Sequence, residues 1–167
     1  MFKKIEHSNW EGNAFTAIGD EWLLITAKDG DKVNAMTASW GGLGVMWGKP
    51  AAYIFIRPQR HTYQLMENTD RFTLCIPGEE YRKALGYCGS HSGRDEDKLA
   101  ACGLSSVEID GIPAIEQSHT VLMCKKLYAQ FLQEDCFIET SPIPRYYPEK
   151  DYHCMYIAEI TDIYVKE

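Results

Sequence analysis

Apolar residues in this chain fall in short runs, many of them β-branched or aromatic, broken by glycine, proline and aspartate. Six runs have the length and composition of strands: Trp22–Ala27, Val33–Ser39, Ala52–Ile56, Arg71–Ile76, Thr120–Leu132 and Met155–Val165. Turn formers lie between them, in Lys28-Asp29-Gly30-Asp31, Gly41-Gly42, Gly48-Lys49-Pro50, Pro77-Gly78 and Asp110-Gly111. The Asp29-Gly30 pair, flanked by two such runs, predicts a hairpin. Helical spacing shows in three short pieces. The first begins near Thr62, with Thr62 as N-cap and Leu65 and Met66 on its apolar side. The second covers Glu79–Cys88, where Tyr81, Ala84, Leu85 and Cys88 recur at helical intervals. Two glutamates suit its first turn, and Gly89 offers a C-cap. The third covers Asp95–Cys102 and stops at Gly103. Ser141–Pro148 is expected to be a loop, because its prolines at 142, 144 and 148 oppose regular structure. Strands that do not alternate with long helices argue against a doubly wound parallel sheet and for a barrel or sandwich.

At 167 residues and 45% apolar content, the chain is expected to form a single domain over residues 1–167. A domain of this size buries roughly 70% of the surface its unfolded chain exposes. Lys and Arg number 17 against 24 Asp and Glu, a net charge of −7. That balance opposes a nucleic-acid surface, which needs a basic footprint, and docking on anionic lipid. No apolar run approaches the roughly 20 residues that span a bilayer. The opening MFKKIEHSNWEGN has no apolar stretch after its lysines, so no secretory signal is expected. Cys75, Cys88, Cys102, Cys124, Cys136 and Cys154 include no Cys-x-x-Cys pair and sit mostly in apolar stretches. They read as free thiols in a reducing, cytoplasmic setting.

Familiar cofactor motifs fail on spacing. Gly42-Leu43-Gly44 begins like a dinucleotide fingerprint, but Trp47 stands where the third glycine belongs. Gly89-Ser90-His91-Ser92-Gly93-Arg94 has its glycines one residue too close for a phosphate loop, and Arg94 replaces the Lys-Ser/Thr. Cys88 and His91 have metal-like spacing without a second pair, and structural zinc needs four ligands.

Three segments concentrate chemistry instead. In Asn34-Ala35-Met36-Thr37-Ala38-Ser39-Trp40, alternation puts Ala35, Thr37 and Ser39 on one face and Met36, Ala38 and Trp40 on the other. Small and hydroxylated residues let a flat ligand approach the backbone; the same pattern also fits a strand with a solvated face. Arg57-Pro58-Gln59-Arg60-His61-Thr62 lies at a strand-to-helix junction, where it reads either as a phosphate clamp or as a charged turn. Gly89-Ser90-His91-Ser92-Gly93-Arg94-Asp95-Glu96-Asp97-Lys98 packs small, hydroxylated and basic residues just before a helix start, and reads either as part of a site or as a surface loop capped by Ser92 or Asp95. Five of the six arginines fall between Arg57 and Arg94.

The ordered combination is more specific than its parts. Asn-x-Met-Thr-x-Ser-Trp, then Lys-Pro and an apolar strand, then Arg-Pro-x-Arg-x-Thr, then Ser-Gly-Arg-x-x-x-Lys resembles the flavin reductase-like proteins, flavoredoxins included, of the FMN-binding split-barrel superfamily. The resemblance runs from about Glu21 to about Val165. It implies a mainly β fold with added α: an antiparallel, Greek-key split β-barrel with a few short helices. It also implies a homodimer with FMN at or near the interface. NADH or NADPH would be the co-substrate, and free flavin, a metal ion, a quinone or a protein the electron acceptor. By the same resemblance Asn34, Met36, Thr37, Ala38, Ser39 and Trp40 lie along the isoalloxazine and ribityl. Arg57, Arg60 and Thr62 hold the phosphate, and Ser92, Gly93, Arg94 and Lys98 complete that side. His153 matches a histidine near the flavin face or nicotinamide site. The glycine run Gly41–Trp47 departs from part of the family. Two other readings share these residues: an FMN electron carrier reduced by a partner protein, and a split barrel that binds no FMN.

Overall fold

The strand-like runs pair into one antiparallel sheet of eight strands in the computed structural model, which describes residues 1–167. Its strands are β1 (Phe2–Ile5), β2 (Leu23–Asp29), β3 (Lys32–Ala38), β4 (Gly42–Met46), β5 (Lys49–Ile56), β6 (Arg71–Ile76), β9 (Thr120–Phe131) and β10 (Cys154–Lys166). The order across the sheet is β3-β2-β6-β9-β10-β5-β4, with β1 added to β10. A separate hairpin, β7 (Ser106–Ile109) and β8 (Ile112–Ile115), packs against β6 and β2. Helices α1 (His61–Glu67), α2 (Arg82–Ser90), α3 (Lys98–Ala101) and α4 (Pro142–Tyr146) are all short.

The curl of this sheet follows from one connection. β3 and β4 stand at opposite ends of the strand order, yet only Ser39, Trp40 and Gly41 separate them. Four residue steps reach about 14 Å at most. The two ends must therefore come close, and the sheet closes into a barrel left open along the β3–β4 seam. Gly41 makes the crossing at φ +146°, where an added Cβ would lie 2.5 Å from the Tyr53 carbonyl oxygen on β5. Only glycine fits there.

Two apolar clusters flank the sheet. Inside the barrel lie Leu23, Ile25, Ile54, Phe72, Leu122 and Tyr156. On the other side Leu24, Val121 and Met123 pack with Leu85 and Cys88 of α2, Leu99 of α3 and Ile115 of β8. Strands β2 and β6 are thus covered on both faces over most of their length, and β9 over its first half, Thr120 to Cys124. This is why they read as continuous apolar runs rather than alternating ones.

Several expectations are corrected. Residues 142–146 form α4, not a loop: Pro142 and Pro144 occupy the first turn, whose N–H groups have no intrahelical partner, so no bond is lost. Arg60, not Thr62, is the N-cap of α1. Thr62 is fully buried, and its hydroxyl accepts from Asn34 Nδ2 at 2.9 Å. The Glu79–Cys88 helix starts as a 3₁₀ turn at Glu79–Tyr81 and runs through Gly89 to Ser90. The third helix is only Lys98–Ala101, capped by Asp97, whose Oδ1 accepts from the Ala100 N–H at 3.1 Å. The Gly48-Lys49-Pro50 turn is shifted: Trp47 and Gly48 form it, at φ 51° and 71°, and Lys49 and Pro50 already pair with β4. The first hairpin turns on Gly30-Asp31, one residue beyond the expected pair.

Candidate functional site

β3 runs along the open seam, and two adjoining clefts lie beside it. The first, of about 170 Å³, is lined by Met36, Thr37, Ala38, Ser39, Trp40, Phe55, Arg57, Arg60 and His153. The second, of about 160 Å³, has Asn34, Thr62, Ser92, Arg94 and Lys98 among its walls, together with Arg60. Each alone is below the roughly 300 Å³ at which small-molecule pockets begin. Joined at Arg60 they reach it. A strand rises about 3.3 Å per residue, so Asn34 and Ala38 mark points about 13 Å apart along β3. As an edge strand, β3 leaves a row of backbone N–H and C=O groups without ladder partners.

The first cleft is walled by aromatic rings and is electrically settled. Trp40 meets Tyr146 edge-on with ring centres 5.0 Å apart and tilts against His153 at 5.4 Å. His153 is 9% exposed, and its Nδ1 lies 2.6 Å from the Tyr147 hydroxyl. Burial, aided by the nearby Arg57 cation, pushes the His153 imidazolium down to about 4, so the ring is neutral at physiological pH. Arg57 forms an ion pair with Asp151 and donates to the Tyr146 carbonyl at 2.6 Å. Gln59 donates to the same Asp151 oxygen at 2.6 Å, and this bond with the Arg57 pair holds the carboxyl below its ordinary range.

The second cleft is different. Lys98 is 2% exposed, and its Nζ donates only to the carbonyls of Cys88 at 3.0 Å and His91 at 3.1 Å. Arg60 donates to the Gly89 carbonyl at 2.8 Å and the Cys88 carbonyl at 3.2 Å, and Arg94 to the Gln59 carbonyl at 2.9 Å. None of these three cations has a carboxylate within 4.0 Å. Burial draws the Lys98 ammonium down to about 8 and lowers Arg60 as well. Carbonyl oxygens at the end of α2 fix the direction of Lys98 and Arg60, and the Gln59 carbonyl that of Arg94, without cancelling their charge.

The structure brings together most of the residues singled out in the sequence and separates their tasks. Met36 to Trp40 reach the first cleft, and Asn34 the second. Arg57 does not line the second cleft, because Asp151 and Tyr146 hold it beside His153. The Thr37 hydroxyl turns down to donate to the Leu85 carbonyl on α2. Gly93 packs where a Cβ would meet Asn34 Oδ1 at 2.2 Å. Phe55 also lines the first cleft and was not anticipated, whereas Gln59, Gly89 and His91 line the second from segments already singled out, without having been assigned a role. Phe55 carries a signal in hindsight, since it alternates with the inward-facing Ile54 and Ile56. The Tyr146–Asp151 strap carries none.

With this geometry in view, comparisons define the class. Residues 17–167 match the flavin reductase like domain family, and the chain belongs to it. Its fold is the split barrel of that family. The chain is 32% identical over 118 residues to the uncharacterized protein YddH of Escherichia coli (strain K12), an alignment covering 68% of this chain and 62% of that protein. Among solved structures it resembles the FMN-binding domain of a flavin reductases-like enzyme from Shewanella baltica OS155, at TM-score 0.72 and 20% identity. That match covers 99% of this chain and 77% of the other. The flavoredoxin of Desulfovibrio vulgaris (Miyazaki F) aligns at TM-score 0.69 and 23% identity, over 98% of this chain and 78% of its own. No helix is long and apolar enough to cross a membrane.

Proposed function

We propose that this chain binds FMN and passes reducing equivalents from NADH or NADPH to an acceptor, as a flavin reductase-like oxidoreductase. The observation that carries the reading is the second cleft: three converging cations, two of them partly or fully buried, without an acidic partner in a chain of net charge −7. Desolvating a cation is costly unless an anion compensates it. A phosphate supplies that anion, and an aromatic-walled slot adjoining it fits the flat ring at the other end of FMN. Arg60, Lys98, Arg94 and Ser92 would hold the phosphate, Asn34 and Thr62 the ribityl side. Thr37, Ala38, Ser39 and Trp40 would flank the isoalloxazine, with Met36 and Phe55 beneath.

Bound FMN would supply the hydride chemistry, and the protein position, electrostatics and access. Here Trp40 and Phe55 shield the slot from water, and the β3 edge offers backbone donors. Neutral His153, with its Nδ1 against the Tyr147 hydroxyl, is free to present an Nε2–H to a ligand in the slot. The paired Arg57 adds structure there and little net field.

A second copy of the chain is part of this proposal. Tyr53, Phe55, Met155, Ile157 and Tyr128 fall on the face of β5, β10 and β9 turned away from the inner cluster. Tyr128 and Trp40 are 41% and 44% exposed. This apolar face continues into the ring slot through Phe55, so a homodimer would close the slot.

The decisive experiment is the visible spectrum of the purified protein with FMN, then anaerobic titration with NADH and NADPH. Bleaching near 450 nm on nicotinamide addition is expected. FMN bound but unbleached would assign the flavoredoxin-like carrier role, the reading that the Desulfovibrio match favours. A colourless protein that gains no thermal stability with excess FMN would overturn both, since ligand binding must raise apparent stability. Light scattering of the flavin-loaded protein should give a dimer; a stable monomer would remove that part.

A further inference from the structure

Cys88 lies in the last turn of α2, and Cys102 directly follows α3. Their sulfurs are in contact at 3.7 Å, and both are free thiols. Cys88 is fully buried, whereas Cys102 is half-buried. The chain between the two is the loop that builds the second cleft: residues 88–102 carry Ser92, Arg94 and Lys98. The Cys88 carbonyl accepts from Lys98 Nζ at 3.0 Å and from Arg60 at 3.2 Å. The Cys102 N–H donates to the Lys98 carbonyl at 3.2 Å. Each cysteine is thus one main-chain hydrogen bond from a cation of the cleft.

We propose that Cys88 and Cys102 are an oxidisable pair, and that the disulfide they form loosens the hold of the second cleft on a phosphate group. The oxidant is a hydroperoxide, small enough to reach a half-buried thiol. The Cys102 thiolate attacks one oxygen of hydrogen peroxide and the O–O bond breaks. The hydroxide released takes up the proton that Cys102 lost and leaves as water, and Cys102 becomes a sulfenic acid. The Cys88 sulfur then attacks the Cys102 sulfur. The S–O bond breaks, and the hydroxyl leaves with the Cys88 proton as a second water. Two thiols give up two electrons and two protons, and one peroxide becomes two waters. Exposure sets this order. Burial, and then the neighbouring Cys102, push the Cys88 thiol up to about 12, against the pull of Lys98 and Arg60. Such a thiol is inert towards solutes and reacts with the sulfur it already touches.

The effect on the cleft follows from distance. A disulfide is about 2.05 Å long, so the sulfurs must draw about 1.7 Å closer than they stand. A binding constellation tolerates displacements of about 0.5 Å. Rotation of the two side chains absorbs part of the movement. α3, a single turn that begins at Lys98, takes up the rest. Formation of the disulfide is independent of any flavin; its consequence for FMN rests on the phosphate reading above.

The test uses Cys136→Ser, which removes the exposed thiol. Hydrogen peroxide should lower the mass of this protein by two hydrogens and yield a peptide joining Cys88 to Cys102, and a dithiol should reverse both. The oxidised form should bind FMN about tenfold more weakly than the reduced form, with riboflavin within twofold. Cys102→Ala in the same background should form no disulfide and keep its FMN affinity through peroxide treatment. Thiols that survive peroxide, or a Cys102 carried to sulfinic acid without a disulfide, overturn the inference. So does a disulfide that weakens FMN and riboflavin alike or neither. Failure of the reduced protein to bind any flavin overturns the proposed function instead. The inference is then decided with inorganic phosphate by calorimetry, where equal binding to the reduced and oxidised forms overturns it and weaker binding to the oxidised form upholds it.

Discussion

Arg57 and Arg60 stand three residues apart on one turn and face opposite electrostatic situations. Arg57 has Asp151 as counter-ion, with the Tyr146 carbonyl as a second acceptor. Arg60 and its neighbour Lys98 have only main-chain carbonyls. The first region is complete as it folds: an aromatic slot with a neutral histidine and a paired cation. The second is folded but uncompensated. A cation whose partner is part of the chain contributes to the fold, whereas a cation held without one costs stability until a ligand arrives. The contrast separates residues that shape the site from residues that select an anion, which sequence spacing alone had grouped together.

The sharpest way to break this contrast is to remove Lys98. Lys98→Met should weaken FMN by about 10- to 100-fold, the loss of a charge-assisted contact worth about 1.5–3 kcal/mol. Riboflavin, which has no phosphate, should bind almost as before. The flavin-free variant should melt at or above wild type, because a buried charge has been replaced by an apolar side chain. A drop in stability without a change in the FMN-to-riboflavin ratio would show Lys98 to be structural.

Arg57→Met should behave in the opposite way. It leaves Asp151 without a counter-ion, held only by the Gln59 amide, and should destabilise the fold by about 1–2 kcal/mol. The FMN-to-riboflavin ratio should stay within about threefold, since Arg57 does not line the phosphate cleft. Thermal melts and paired titrations read both numbers.

Next in size is a pH effect. Lys98 holds its proton only up to about 8 in the free protein. FMN affinity should therefore fall as pH rises through 8 to 10, by less than tenfold per unit, and this slope should vanish in Lys98→Met. Stability of the flavin-free protein carries the opposite sign. From about pH 8 to the ordinary lysine value of 10.5 the unfolded chain binds more protons, so this group adds stability as pH rises. The difference between wild type and Lys98→Met isolates it from the tyrosines and cysteines that titrate nearby.

The smallest expected effect concerns His153. Its ring should stay neutral by NMR until pH approaches 4. Between 6.5 and 4 the unfolded chain takes up a proton that the native one refuses, so stability is lost as pH falls through that window. His153→Gln should flatten this part of the stability profile. A His153 titration near 6.5 in the folded protein would show the slot to be wetter and less settled than described.

The barrel strands were legible because two covered faces make apolar runs that need little context. β2, β6, β9 and β10 were located within a few residues of their ends. β4 was not, since Gly42-Leu43-Gly44-Val45-Met46 has almost no intrinsic strand preference, and pairing with β5 creates it. At the site, cations in an acidic chain pointed to a phosphate. The split between Arg57 and Arg60 was invisible, because it depends on Asp151, which lies 94 residues from Arg57 and arrives on a strap without periodicity. Thr62 was misplaced by local capping logic, when its hydroxyl is taken by Asn34 from a different strand.

The three-residue link across the open seam has a consequence for handling the protein. It draws the two end strands together without pairing them, and so β3 remains a bare strand edge. Such an edge is a template for other chains to add on. The same seam that receives a ligand therefore makes the ligand-free protein the more aggregation-prone form. Its shelf life in concentrated solution should lengthen with whatever fills the clefts beside β3.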